Sequence, residues 1–185
     1  PKVGTVVTNH SQSSYVNSLE QYRFLASDEL AHFIEARLYL EKAALRLAAV
    51  RLQKSDVTRL NSQLAEQSEA LHSPDPELFP RLDRLFHRTI IEISQNKVLL
   101  QFLGMIWDAI TQMTDIRNTQ NRHTIFNYHT AIVKHLADRN LPLAEKAITE
   151  HLHDLTQNIE RNIGHHTGLE NIFKLERETA STVNM

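Results

Sequence analysis

Residues 122–163, "RHTIFNYHTAIVKHLADRNLPLAEKAITEHLHDLTQNIERNI", read as two amphipathic helices joined by a short turn near Asn140. On the first, Ile125, His129, Ile132 and Leu136 fall on one stripe at helical spacing; on the second, Ala144, Ile148, His151, Leu155 and Ile159 do the same. His129 lies eleven residues before Asn140 and His151 eleven after it. In an antiparallel helical hairpin, equal distance from the turn means equal height, so the two imidazoles are expected to face one another from opposite helices. A local hairpin with a buried face needs further helices to cover it, and the rest of the chain supplies them.

Helical period also dominates from Tyr15 to the start of the hairpin. "YVNSLEQYRFLA" is a short amphipathic piece, and "SDELAHFIEARLYLEKAALRLAAVRL" follows with Ser27 in an N-cap position. "SDVTRLNSQLAEQSEALH" repeats the pattern with Ser55 as the expected cap. "PDPELFPRLDRLFHRTIIEIS" carries proline early, where a missing N–H matters least. "NKVLLQFLGMIWDAITQMTDI" is apolar on most sides and is expected to be a central buried helix. After the hairpin, "TGLENIFKLERET" closes the series. With only 4 Gly and 5 Pro in 185 residues, long helices are favoured over a turn-rich β architecture. The expected fold is all-α, a single antiparallel bundle of about six to seven helices. The opening "PKVGTVVTNHSQSS" stands apart, because "VGTVV" is a β-branched strand stub followed by a polar linker. The expected division is residues 1–12 as the remnant of another domain and its linker, 13–180 as the helical domain, and 181–185 as a tail.

Bulk chemistry narrows the function. The 20 basic and 22 acidic residues give a formal charge of −2, so this stretch does not have the basic surface that wrapping nucleic acid requires. The absence of Cys excludes disulfides, thiolate metal sites and a Cys nucleophile. No signal-peptide pattern opens the chain, and no apolar run approaches the roughly 18–20 residues of a membrane span. A cytoplasmic protein with no membrane partner is the default expectation. The 11 His are the compositional feature to follow.

"FPRLDRLFHRTIIEIS", residues 79–94, makes the anomaly plain. Phe79, Phe86 and Ile90 mark its apolar stripe, and Asp83 and His87 fall on the same stripe one turn apart. An unpaired carboxylate in an apolar interior costs several kcal/mol or takes up a proton. A divalent cation removes that penalty, and Asp with His is ordinary ligand chemistry for zinc and its neighbours. A single inward His is more often a hydrogen-bonded core residue, and an i,i+4 Asp–His pair can be a plain buried hydrogen bond. Four such residues on three helices strain that plain reading, and from pattern alone a metal site stands beside it as an equal alternative. His123, His135 and His153 lie off these stripes and are expected in solvent. Arg37 and Glu41 also fall on an apolar side, either as an internal ion pair or with Arg37 offering its guanidinium to a ligand carboxylate.

Three segments carry a family resemblance. "EARLYLEKAALRLAAVR" is similar to an "R-x-x-L-E … A-A-x-x-A-A" opening helix, "LDRLFHRTIIEISQNKVL" to a "D-x-x-F-H … N-x-x-L" segment, and "YHTAIVKHLADRNLPLAEKAITEHL" to an "H-x-x-I … D … A … H-L" close. In order and spacing, from about Tyr15 to about Ile163, they resemble the FCD domain, the FadR-type C-terminal effector-binding domain of GntR-superfamily bacterial transcription regulators. The resemblance implies a helical bundle with a central metal/ligand cavity that holds a divalent metal, zinc first with nickel or manganese also compatible, on Asp83, His87, His129 and His151. Because all four positions are filled, the fatty-acyl-CoA-responsive branch is a poorer match. It further implies a small organic acid effector, with Arg37 and more weakly Asn96 as ligand contacts, and a homodimer. On this resemblance "VGTVV" looks like the end of the wing of a winged helix-turn-helix domain, through which DNA would be bound.

Two rival readings use the same residues. A metal-dependent hydrolase would need a general base beside the metal, for which Glu41 and Glu150 are the nearest nominal candidates. A purely structural metal would staple the helices and bind no acid.

Overall fold

A computed structural model describes residues 27–113, 121–164 and 166–182. Among them the chain forms seven α-helices and no strand: α1 (Ser27–Arg51), α2 (Lys54–Ala70), α3 (Leu78–Ile93), α4 (Lys97–Met113), α5 (Arg122–Ala137), α6 (Leu141–Ile163) and α7 (Glu170–Thr182). This is the all-α bundle the periodicity calls for. The strand stub and linker of residues 1–12, and the amphipathic piece 15–26, lie outside the described residues.

Local chemistry sets the helix ends. Asn121 opens α5 by accepting from the backbone N–H groups of His123 and Thr124. Asn96 does the same for α4, its Oδ1 accepting from Val98 N at 3.1 Å and Leu99 N at 3.2 Å. α2 begins at Lys54 with Gln53 as its cap, so Ser55 falls inside the first turn rather than at the expected cap. The acceptor that wins is Asp56, whose carboxylate takes the Gln53 N–H at 2.9 Å. Pro80 is tolerated in the opening turn of α3.

The α5–α6 turn is as tight as expected. Arg139 adopts a left-handed φ of 58°, Asn140 N donates to His135 O at 2.8 Å, and Asn140 Oδ1 accepts from Leu143 N at 3.2 Å. The Arg139 guanidinium then reaches Ala49 O at 2.7 Å and Leu52 O at 3.1 Å. That contact satisfies carbonyls at the end of α1 and fixes the hairpin against it.

The core gathers one stripe from each element: Leu30, Ile34, Leu38 and Leu45 of α1, Phe86 and Ile90 of α3, Ile132 and Leu136 of α5, Ile148, Leu152 and Leu155 of α6. α1 packs on α3, α4 and α6, while α5 and α6 pack on each other along their length. α4 is not the central helix its composition suggests. It buries Leu103, Ile106, Trp107 and Ile110 against the bundle and leaves Val98 and Phe102 more than half exposed on its outer side. Lys97, Gln101, Asp108 and Gln112 run at helical spacing along that outer side, a signal that the high overall apolarity of the segment masked.

Candidate metal centre

Four helices bring the site together. Asp83 and His87 project from α3, His129 from α5 and His151 from α6, and α1 closes the far side with Arg37 and Glu41. The hairpin argument holds in three dimensions, with the His129 and His151 ring centroids 5.1 Å apart. One ligand-type atom from each of Asp83, His87, His129 and His151 lies within 4.8 Å of the others. His87 Nε2 stands 3.1 Å from His151 Nε2 and 3.7 Å from Asp83 Oδ1, and His129 Nε2 stands 3.4 Å from the same Asp83 oxygen.

These separations suit a shared cation. Two ligands each bonded at about 2.1 Å to one ion, at angles between octahedral and tetrahedral, sit about 3.0–3.4 Å apart, which the 3.1 and 3.4 Å pairs match and the 3.7 Å pair exceeds slightly. The hydrogen-bond accounting agrees. Asp83 Oδ1, His129 Nε2 and His151 Nδ1 are buried and have no hydrogen-bond partner among the described residues, whereas buried polar atoms are normally satisfied. Two of those three atoms face into the cluster, so the donor set fits a divalent metal.

The surrounding shell orients two of the imidazoles. Glu41 Oε2 lies 2.8 Å from His87 Nδ1, leaving Nε2 toward the cluster. Gln67 Oε1 accepts from His129 Nδ1 at 2.8 Å, which leaves the His129 Nε2 lone pair facing Asp83, and Gln67 is itself anchored by donating to Leu82 O at 3.2 Å. A carbonyl or carboxylate on the remote nitrogen is the usual way of fixing the tautomer of a ligating His. Phe86 stacks on His129 with ring centroids 4.0 Å apart.

Electrostatics divides the three histidines. Burial opposes charge on His87, but the Glu41 and Asp83 carboxylates outweigh it and push its pKa up to about 9. Burial, then the neighbouring His87 charge, drives His151 down to about 3, and burial likewise holds His129 well below its ordinary value. Burial would raise both carboxylates. His87 and Arg37 overcome it at Glu41, and His87 followed by the other two histidines overcome it at Asp83, so each is held below the usual range. Without metal the pocket thus carries two anionic groups, two neutral imidazoles and a protonated His87 at neutral pH, and a cation taking up all four ligands would displace the His87 proton.

The remaining residues singled out in sequence fall in distinct places. Arg37 is buried and donates through Nε to Glu41 Oε1 at 2.7 Å, and Trp107 Nε1 donates to the same oxygen at 3.2 Å. The internal ion pair is therefore present, with His87 as its third member. Asn96 caps α4, which occupies its side-chain oxygen. His123 is exposed and His135 half-buried. His153, expected in solvent, is buried between α6 and α7, its ring tilted against Phe173 with centroids 5.0 Å apart and 3.4 Å from Glu170. The expectation failed because the last helix covers a face of α6 that an isolated hairpin would leave wet. Gln67 escaped the sequence reading, although a signal existed: Gln63 and Gln67 interrupt the apolar stripe of Leu60, Leu64 and Ala70 on α2.

Residues 32–154 match the FCD domain family, and the chain belongs to it. Among characterised relatives, HTH-type transcriptional repressor NanR of Salmonella arizonae and its counterpart in Salmonella typhimurium are each 27% identical over 131 residues, covering 69% of this chain and 49% of theirs. The chain thus spans about half the length of the curated relatives it matches, and those relatives are transcriptional repressors rather than enzymes. A solved structure from work on Lar, described as controlling the expression of the Listeria monocytogenes agr system and mediating virulence, shares the fold. Its TM-score is 0.66 at 20% identity, over 75% of this chain and 66% of that one.

Proposed function

We propose that this domain is the effector-sensing half of a bacterial transcription regulator, holding a divalent metal on Asp83, His87, His129 and His151 and recognising a small organic acid there. The observation that carries the metal is the pair of buried, unpartnered atoms Asp83 Oδ1 of α3 and His129 Nε2 of α5 within a cluster completed by His87 and His151. Bound, the metal would supply a Lewis-acidic anchor for a carboxylate. The chain's own residues do the rest: Glu41 and Gln67 orient the imidazoles, and Arg37 balances the charge of Glu41 beside them. Zinc suits an Asp/His₃ set, and nickel or manganese would also be accepted.

The regulatory reading draws on the repressor relatives. In the whole protein, a winged helix-turn-helix domain would bind DNA as part of a homodimer in the cytoplasm. Effector binding regulates only through differential affinity: the acid must favour one arrangement of the DNA-binding domains over the other. Against hydrolysis, Glu41 is already held by Arg37, His87 and Trp107, and Glu150 lies 3.9 Å from Arg177 of α7. Elemental analysis of the purified chain before and after chelation, followed by a thermal-shift screen of small organic acids, tests the proposal. Stoichiometric metal and acid-dependent stabilisation are expected; absence of both refutes it.

A further inference from the structure

Outside the deep cluster, two further histidines stand together at one end of the bundle. His72 lies in the turn just after α2 and His123 in the first turn of α5, and both are exposed. Their ring centroids are 5.6 Å apart, with the ring planes at 61°. Measured the same way, the three histidines of the cluster are separated by 5.0, 5.1 and 5.1 Å. Two imidazoles that share one ion, each bonded at about 2.1 Å, have centroids about 4.6 Å apart at a right angle and about 5.6 Å apart at about 120°. The surface pair falls at the wide end of that range, so the backbone already holds the two rings at a spacing one ion can span.

The scaffold under the pair is fixed. Arg122, next in sequence to His123, donates through Nη1 to Ala70 O at 3.3 Å and to Ser73 O at 3.1 Å, carbonyls on either side of His72. Asn121 Oδ1 accepts from His123 N at 3.2 Å and holds the first turn of α5. An apolar cluster of Ala70, Phe79 and Ile125 ties the same two segments together. Turning an exposed ring about its terminal torsion to aim a nitrogen costs little, because that torsion is broad. Imidazole nitrogen suits zinc, copper and nickel, whereas magnesium and calcium take oxygen ligands. Two opposing influences set the strength of such a site. The carbonyl end of α2 favours a cation, and the Arg122 charge disfavours one. With two protein ligands against four, it is weaker than the deep cluster.

We propose that His72 and His123 form a second site for a divalent transition-metal ion, a surface clamp joining the end of α2 to the start of α5. Water completes the coordination. The clamp grips the two helices that carry the Gln67–His129 contact, and it does not depend on the acid-sensing reading.

The test is calorimetric titration of the purified, tag-free chain with zinc and, separately, with nickel. A second equivalent about tenfold or more weaker than the first is expected, undisturbed by a hundredfold excess of magnesium. His72→Ala and His123→Ala are each expected to abolish that equivalent and leave the first within twofold. His135→Ala, which removes another histidine of α5, should change neither. Metal in excess should raise the melting temperature of the parent chain above its value at one equivalent, and should not do so in the His72 and His123 variants. In chelator all three should melt alike. The clamp is overturned if neither variant loses an equivalent, if only one of them does, or if magnesium displaces the ion. A lone equivalent lost in both variants would keep the clamp and overturn the deep centre.

Discussion

Glu41 Oε2 lies 2.8 Å from Nδ1 of His87, and this one contact determines which nitrogen of His87 is presented to Asp83 and His151. Glu41 sits on α1 and His87 on α3, so the orientation of the ring depends on how two helices dock. Replacing Glu41 with Gln keeps the size and removes the charge. Zinc affinity of the variant, read by competition with a chromogenic chelator, is expected to fall about 10- to 100-fold. An unchanged affinity would remove Glu41 from the site.

The same pair governs how the metal-free domain responds to pH. His87 has its folded pKa raised from 6.5 to about 9, so its charged form contributes stability that is fully present below about pH 6.5 and is lost as pH rises through 9. Denaturant unfolding of the metal-free chain is therefore expected to show falling stability over that window, with the slope flattened in Glu41→Gln. Equal stability at pH 6.5 and 9.5 in the parent chain would contradict the raised pKa.

Individual ligands should separate cleanly from the other histidines. His129→Ala and His151→Ala are each expected to abolish stoichiometric metal binding. His135→Ala should leave it unchanged. His153→Ala should also leave metal binding unchanged but lower the melting temperature, because its ring is buried against Phe173 beneath α7. Metal content and thermal melts of the four variants check this, and equal loss of metal in all four would contradict the assignment.

Metal removal should soften the domain without unfolding it. The apolar core of α1, α3, α5 and α6 is continuous beyond the cluster, whereas small folds held only by zinc lack such a core. Zinc at about 100 times its Kd adds about 2.7 kcal/mol, or roughly 5–10 °C in melting temperature for a chain of this size. Circular dichroism with and without chelator should show the same helix content at 25 °C and a lower melting point without metal. Loss of helix at 25 °C would favour a purely structural metal.

Much of the site could be read from the chain because its residues break a periodic pattern. Asp83 and His87 interrupt the stripe of Phe79, Phe86 and Ile90, and the even spacing of His129 and His151 about Asn140 places them opposite each other. Helical phase and hairpin symmetry are local rules, so they survive without tertiary information. Gln67 interrupts a stripe in the same way and could have been found by the same rule.

Sequence alone determined the helical class, the hairpin and the four side chains aimed inward, since each follows from spacing along one or two helices. Tertiary packing decided what no single helix contains. It made α4 a flank rather than the centre, put His153 under α7, and brought Glu41 of α1 against His87 of α3. The physical reason is that a side chain's face is set by its position on its own helix, whereas its neighbours and the space before it are set by which helices dock there.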